Sequence, residues 1–244
     1  LLAALRRISP APIRYVVNTH HHGDHVGGNA VIAPAGSTIA GGNVAGAIAD
    51  AGKGAAVIAQ ENVLARMVAG MPQPPSSAWP TDTFIDGHKD VFFNGEAVQI
   101  LYQPKAHTDS DSIVFFRKSD VIATGDVFVT TSYPLILPGD GGSIQGVIAA
   151  LNHIIDLTVP AEKQEGGTLV IPGHGRLCDE ADVVEYRDML AIVRDRIRVM
   201  IKKGMTLEQV KAAKPMPLTP RPAVTASSTT RMRIDRKSTR LNSS

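Results

Sequence analysis

Thr19-His20-His21-His22-Gly23-Asp24-His25 reads H-x-H-x-D-H, imidazoles and a carboxylate at fixed spacing. Ile13–Val17 precedes it, apolar and β-rich, and reads as a buried strand. Gly27-Gly28-Asn29 follows and suits a turn, so the motif sits on the loop leaving a strand. Residues two apart in near-extended chain point the same way, which lets His20 and His22 share one metal. Gly23 is expected to let the backbone fold sharply, turning Asp24 and His25 towards a neighbouring position. Imidazole nitrogens and a carboxylate oxygen suit zinc well, and iron or manganese less exclusively. A solvated histidine loop or an artificial tag would explain the histidines, but a tag would not carry Asp24 or follow a core strand.

The surrounding chain is 244 residues long, 43% hydrophobic and 20% charged, enough for one sizeable core. Aromatics make up only 5%, so the core must be mostly Val, Ile, Leu and Ala. A single cysteine, Cys178, excludes an intrachain disulfide framework and a Cys-rich zinc module. From Pro215 onward six basic residues face one acid, so residues 1–214 carry −3 although the whole chain is +2. The body is mildly acidic, and the reading expects a small-molecule substrate, no nucleic acid and no membrane. No apolar run approaches the roughly 20 residues that a membrane helix needs. Oligomeric state and compartment are not legible. The chain starts at Leu1 without Met and runs straight into a helix-like segment, so residues before it are expected to be missing.

In chain order, Leu1–Ile8 reads as a helix end and Pro10–Pro12 as a break. Asn29–Asp50, rich in Ala and Gly, reads as partly helical. Ala55–Ala59 is a strand, Glu61–Val68 a helix and Met71–Pro80 a surface loop that Trp79 pins onto the body. Short strands follow at Thr83–Ile85, Asp90–Phe93, Ala97–Tyr102, Ser112–Phe116 and Val121–Thr124. Ile144, Val147, Ile148, Leu151, Ile154 and Ile155 recur at helical spacing in Gly142–Leu157, where His153 is read as an ordinary histidine. Thr168–Ile171 is a buried strand and Asp179–Lys203 a long helix. Thr206–Ala213 is a short helix with Thr206 as N-cap and Gln209 three positions on. These elements make residues 1–214 one domain. The tail 215–244, rich in Ser, Thr, Arg and Pro, reads as disordered, and its end resembles translated read-through.

Three further candidates each lie just past a strand: His107, Asp126 in Thr124-Gly125-Asp126, and His174 in Pro172-Gly173-His174-Gly175. Each alone could be a loop or turn residue. Together with the first motif, four strand ends each deliver a metal-type side chain, and strand ends at one sheet edge converge in space. H-x-H-x-D-H, a lone His, G-D and P-G-H-G in this order resemble the metallo-β-lactamase superfamily. The resemblance covers about Ile13 to Met205. It implies an αββα four-layer sandwich, an α/β (α+β) fold of two mixed sheets with outer helices. It assigns His20, His22 and His107 to a first metal, Asp24, His25 and His174 to a second, and Asp126 to both. His21 and Asp109 match no ligand position. The strands that open the family's fold are not found before the motif, so the first sheet is expected to be incomplete.

The resemblance implies a metal-dependent hydrolase with two zinc ions, iron or manganese being alternatives. A hydroxide shared by the two ions would attack an ester, thioester, lactone or amide carbonyl, and Asp24 would orient it and accept its proton. Broad β-lactamases of the family usually carry Cys or Ser at the bridging position. Asp126 there looks more like the glyoxalase II, lactonase and general hydrolase branches. A mononuclear iron sulfur dioxygenase of the same fold is the alternative of another class, and a metal-binding fragment without activity is the third. The far nitrogen of each ligand histidine is expected to be held by the backbone.

Overall fold

The computed structural model describes residues 1–38 and 53–215. Two sheets carry the fold. In the first, β1 (Tyr15–Val17), β2 (Ala56–Gln60) and β3 (Asp82–Phe84) run parallel in that order, with Tyr15 opposite Ala56 and Ile58 opposite Asp82. In the second, β4 (His88–Phe93), β5 (Glu96–Tyr102), β6 (Ser112–Phe116) and β7 (Val121–Ala123) are antiparallel neighbours. β8 (Leu169–Ile171) joins that sheet parallel to β7. The second sheet is therefore mixed, as expected, whereas the first is parallel throughout its described strands. Asn94 and Gly95, both at positive φ, make the tight β4–β5 hairpin turn. Parallel β7 and β8 cannot be joined by a hairpin. The connection instead contains α5 (Ile144–Leu157).

Helices cover both outer faces. α1 (Leu2–Ile8), α2 (Gly23–Val26), α3 (Asn29–Ile32) and α4 (Glu61–Ala69) accompany the first sheet's part of the chain. α5, α6 (Glu180–Lys202) and α7 (Leu207–Ala212) belong to the second half. Three apolar clusters mark the interfaces between the four layers. Ala59, Val63 and Met67 pack β2 against α4; Ile58, Ile100 and Val114 join the two sheets. Ile113, Ile122 and Val170 meet Val147, Leu151, Ile154, Val183 and Leu190 under α5 and α6. Neighbours Ile58 and Ala59, like Ile113 and Val114, enter different clusters because successive strand residues face opposite sides. That is why these strands read as continuous apolar runs.

Expected helix ends are capped by their own side chains. Ser143 accepts from the Gly146 amide, and Asp179 and Thr206 each form a capping box, the second with Gln209 as the spacing required. Trp79 packs beside the α4 cluster and donates its Nε1–H to the Pro74 carbonyl, so it does pin the 71–80 loop. His153 lies on α5 against Gln103 and joins none of the candidate metal groups among the described residues. Of the stretch Asn29–Asp50, residues 39–50 lie outside the described residues, as does the tail beyond Pro215. None of the described helices is long and apolar enough to cross a membrane.

Strand direction places the site. β5 and β7 are each antiparallel to β6, and β8 is parallel to β7, so all three end at one edge. The Thr19 carbonyl accepts the Ser112 amide at 2.7 Å, which fastens the end of β1 to the start of β6 at that same edge. The loops bearing His20 to His25, His107, Asp126 and His174 therefore meet.

Candidate metal centre

All seven residues expected as ligands come together there. His22 Nδ1 lies 3.0 Å from His20 Nε2 and 3.0 Å from His107 Nε2. Asp126 Oδ2 stands 3.9 and 3.8 Å from His20 and His107 Nε2, completing a first cluster. The second cluster is Asp24, His25 and His174. Asp24 Oδ2 is 3.3 Å from His25 Nε2 and 3.0 Å from His174 Nε2. Asp126 Oδ1 approaches the same two nitrogens at 3.3 and 3.5 Å.

These groups fit divalent ions on the structure's own evidence. A tetrahedral ion with bonds of about 2.0–2.1 Å sets its ligands about 3.3–3.4 Å apart, near the observed spacings. Three imidazole nitrogens converging on one point cannot all share protons, so lone pairs face each other unless a cation lies between them. His25 Nε2 and Asp126 Oδ1 are buried and make no hydrogen bond despite their 3.3 Å approach. A Cβ on Gly173 would overlap Asp126 Oδ1, so glycine keeps that space open.

The electrostatics point the same way. Burial, and then the charge of His25, pushes His20 down to about 2. Burial also lowers His107. Burial would raise Asp126, but His25, His20 and His107 outweigh it and hold the carboxyl down at about 2. Burial would lower His25, and the Asp126 and Asp24 carboxylates overcome it and raise that ring. Metal ligands must be deprotonated. His20, His107 and Asp126 meet that condition at neutral pH, and His25 must shed a proton when it is charged.

The backbone of the motif differs from expectation. Gly23 has an ordinary φ and is the first residue of α2, with extended His22 (φ −66, ψ 150) as its N-cap. A Cβ on Gly23 would meet nothing within 4 Å. The turn of Asp24 and His25 comes from the start of a helix, not from glycine's freedom. His20 and His22 do share a cluster, yet through different nitrogens, Nε2 and Nδ1.

The supports of the rings also differ. Among the described residues only His107 meets a backbone carbonyl, through Nδ1 and Leu135. Nδ1 of His20 and of His25 each lie 3.2 Å from Thr19 Oγ1. His22 Nε2 faces Asp140 Oδ2 at 3.7 Å. Arg66 holds that carboxylate at 2.9 Å and grips Asp109 with two bonds of 2.6 and 2.8 Å. Asn62, one turn before Arg66 on α4, donates to the Asp109 carbonyl at 2.8 Å. A buried amide pair, Asn18 and Asn29, ties the His25 carbonyl to the Ala78 carbonyl. Sequence reasoning missed Thr19, Arg66, Asp140 and this pair. The one available signal was the one-turn spacing of Asn62 and Arg66.

His21 stands outside both clusters. Thr108 Oγ1 donates to Asp111 Oδ1 at 3.2 Å, so the 3.0 Å contact between Thr108 and Ser110 must use the Ser110 proton. Ser110 Oγ then accepts from His21 Nδ1 at 2.9 Å. The chain of hydroxyls ends on Asp111, a carboxyl that burial raises to about 7. His21 is itself pushed down to about 4 by burial and the neighbouring His22. His21, His22 and Asp140 lie close enough to form a third group, with His21 Nε2 3.7 Å from Asp140 Oδ2. There Arg66 already offsets the anion and His22 is shared with the first cluster.

The metallo-beta-lactamase superfamily model matches residues 1–175. The chain belongs to the metallo-beta-lactamase superfamily. Solved structures agree at the level of the fold. The metallo-beta-lactamase from Pontibacter korlensis is 16% identical, with 78% of this chain and 74% of that one covered and a TM-score of 0.55. The inverting sec-alkylsulfatase Pisa1 from Pseudomonas sp. is 17% identical over 86% of this chain but only 38% of its own, with a TM-score of 0.61. No curated protein matches the chain in sequence. Metallo-beta-lactamase superfamily members are mostly hydrolases, and membership with these His and Asp groups supports a metal-dependent hydrolase.

Proposed function

We propose that this protein is a zinc-dependent hydrolase that holds two ions and cleaves an ester, thioester, lactone or amide bond in a small molecule. The observation that carries the reading is the placement of Asp126. Its Oδ2 faces His20 and His107, and its Oδ1 faces His25 and His174. One carboxylate thus offers each cluster its own oxygen. A pair of divalent ions, when bound, makes a water nucleophilic at neutral pH and polarises the bond to be attacked.

The chain's own groups supply the rest. His20 and His107 form the buried wall of the site, with the partly exposed His22 at its rim, and keep bulk water from one side of it. Asp24 spends Oδ2 on the second cluster, and its other oxygen is free to accept the proton of the attacking water. The water oxygen joins the acyl carbon, the bond to the leaving oxygen, sulfur or nitrogen breaks, and Asp24 returns the proton to that leaving group. The Leu135 segment, anchored through its carbonyl to His107, walls the site on the side of the 128–142 loop. Leu135 itself is 60% exposed, an apolar surface on offer to a substrate.

Elemental analysis of the purified protein, paired with a panel of lactone, thioester, β-lactam and sulfate ester substrates, tests the reading. The expected result is close to two zinc ions per chain and hydrolysis lost to chelator and restored by zinc. A folded protein that binds no metal would sink it. A single iron with thiol-dependent oxygen uptake would replace it by the dioxygenase.

A further inference from the structure

Thr19 touches both clusters without belonging to either. Its Oγ1 lies 3.2 Å from His20 Nδ1 and 3.2 Å from His25 Nδ1. His20 presents Nε2 to the first cluster and His25 presents Nε2 to the second. A neutral imidazole whose Nε2 lone pair points at a cation carries its proton on Nδ1. Both rings then donate to the same hydroxyl oxygen, which has two lone pairs and so accommodates both.

The threonine is itself held firmly. Its carbonyl accepts the Ser112 amide at 2.7 Å. Its side chain lies against Gly125, where φ is +53 and a Cβ would come within 2.7 Å of both Thr19 Cβ and Oγ1. Gly125 immediately precedes Asp126, the carboxylate that faces both clusters. One side chain thus meets the Nδ1 of a ring in each cluster and forms the seat of the residue between them.

We propose that Thr19 is a positioning residue that couples the two ion sites, so that its hydroxyl sets the affinity of both at once. The inference rests on the two-ion reading above. Without the hydroxyl, each Nδ1–H is left without its acceptor. The rings can then turn, or move their proton to Nε2, where it competes with the ion.

The test is zinc affinity measured by competition with a chromophoric chelator, on the full chain, for the parent and three variants. Thr19→Val keeps the shape and removes the hydroxyl, and Thr19→Ser keeps the hydroxyl. Thr19→Ala, which adds no bulk against Gly125, serves if the valine variant fails to fold, as judged by circular dichroism of the metal-free protein. The expected result is that both ions bind about 10–100-fold more weakly in the valine or alanine variant, the range for partners of metal-bound histidines. The serine variant should stay within about threefold of the parent, well below that range. A parent with two ions and a valine variant that weakens neither, or only one, overturns the coupling and leaves the two-ion reading standing. A serine variant as weak as valine overturns it as well, because the hydroxyl would not be the cause. A parent that holds fewer than two ions overturns both.

Discussion

The two clusters use the same kinds of side chain in opposite settings. His20 and His107 are fully buried, and the Asp126 side chain is 13% exposed. Asp24 and His174 are 56% and 47% exposed. Burial shields His20 and His107 from solvent and lowers the pKa of both rings. The second is open, and binding there must order two surface side chains, which costs entropy. It also brings an anion of its own, Asp24, which partly offsets that cost. Under the two-ion proposal the difference would separate the tasks: the closed cluster would hold its ion, and the open one would exchange with solvent and meet a substrate.

Asp126 joins the two settings, so the largest effect is expected there. Asp126→Asn keeps the shape but removes the charge between two cations and replaces one acceptor oxygen by a donor. Paired occupancy should be lost, and hydrolysis should fall by orders of magnitude, beyond the 10–100-fold typical of an outer partner. Metal content and steady-state rates measured together check this. Asn serves as well as Asp in a turn. A variant that holds two ions and turns over near the parent rate would make Asp126 a turn residue and end the bridged arrangement.

Graded removal of metal should come next in size. The open cluster is expected to empty first as chelator is added, giving a two-step loss of zinc. Acid should act in the same direction. The His25 pKa is raised, so lowering the pH through it adds a proton that the ion must displace. His20 and His107 lie below the ordinary imidazole value and resist protonation over that range. Zinc content against chelator at pH 8 and at pH about 6, close to the free imidazole pKa, reads the order directly. Simultaneous loss of both ions at both pH values would mean that exposure does not rank the sites.

Much of this site was legible because its ligands follow strands. Val121–Ala123 and Leu169–Ile171 are apolar runs that announce themselves, and Asp126 and His174 come just after them. What was not legible is what the third dimension supplies. Thr19 looks like an ordinary loop residue until His20 and His25 fold back onto it. Asp140 is far in sequence from His22 and meets it only because the 128–142 loop returns past His107. The start of β4 was missed because His88 and Lys89 are polar, yet an edge strand tolerates such residues facing solvent. The Gly23 reading failed for a related reason: glycine permits a sharp turn but does not require one, and a helix start made the same bend.

That failure gives a paired test of where backbone freedom matters. Gly125→Ala forces a Cβ into φ +53 and to 2.7 Å from Thr19. The left-handed strain alone is about 1–2 kcal/mol, so the melting temperature should fall by several degrees and metal content with it. Gly23→Ala, at an ordinary φ with no atom within 4 Å of its Cβ, should leave both nearly unchanged. Thermal unfolding of the two variants side by side decides the matter. Equal losses would show that the α2 start needs glycine after all.

Among the histidines of the motif, the smallest effect on metal and rate is expected at His21, although it lies between two candidate ligands in sequence. Its Nδ1 donates to Ser110 and its Nε2 faces Asp140, so neither nitrogen points into a cluster. His21→Ala removes one donor from the run through Ser110 and Thr108 to Asp111. An unmet partner of that kind costs about 1–3 kcal/mol when buried, and Ser110 is fully buried. Stability should drop by that order while both ions stay and the rate remains within about tenfold of the parent, an outer partner's usual lower bound. His22→Ala, one residue on, removes Nδ1 from the point where His20 and His107 converge and should abolish activity with little change in fold. The contrast depends on facing alone, since the two residues share type and neighbourhood. If His21→Ala loses zinc as fully as His22→Ala, then His21 is a ligand in solution, and the third group with Asp140 takes the place of the closed cluster described above.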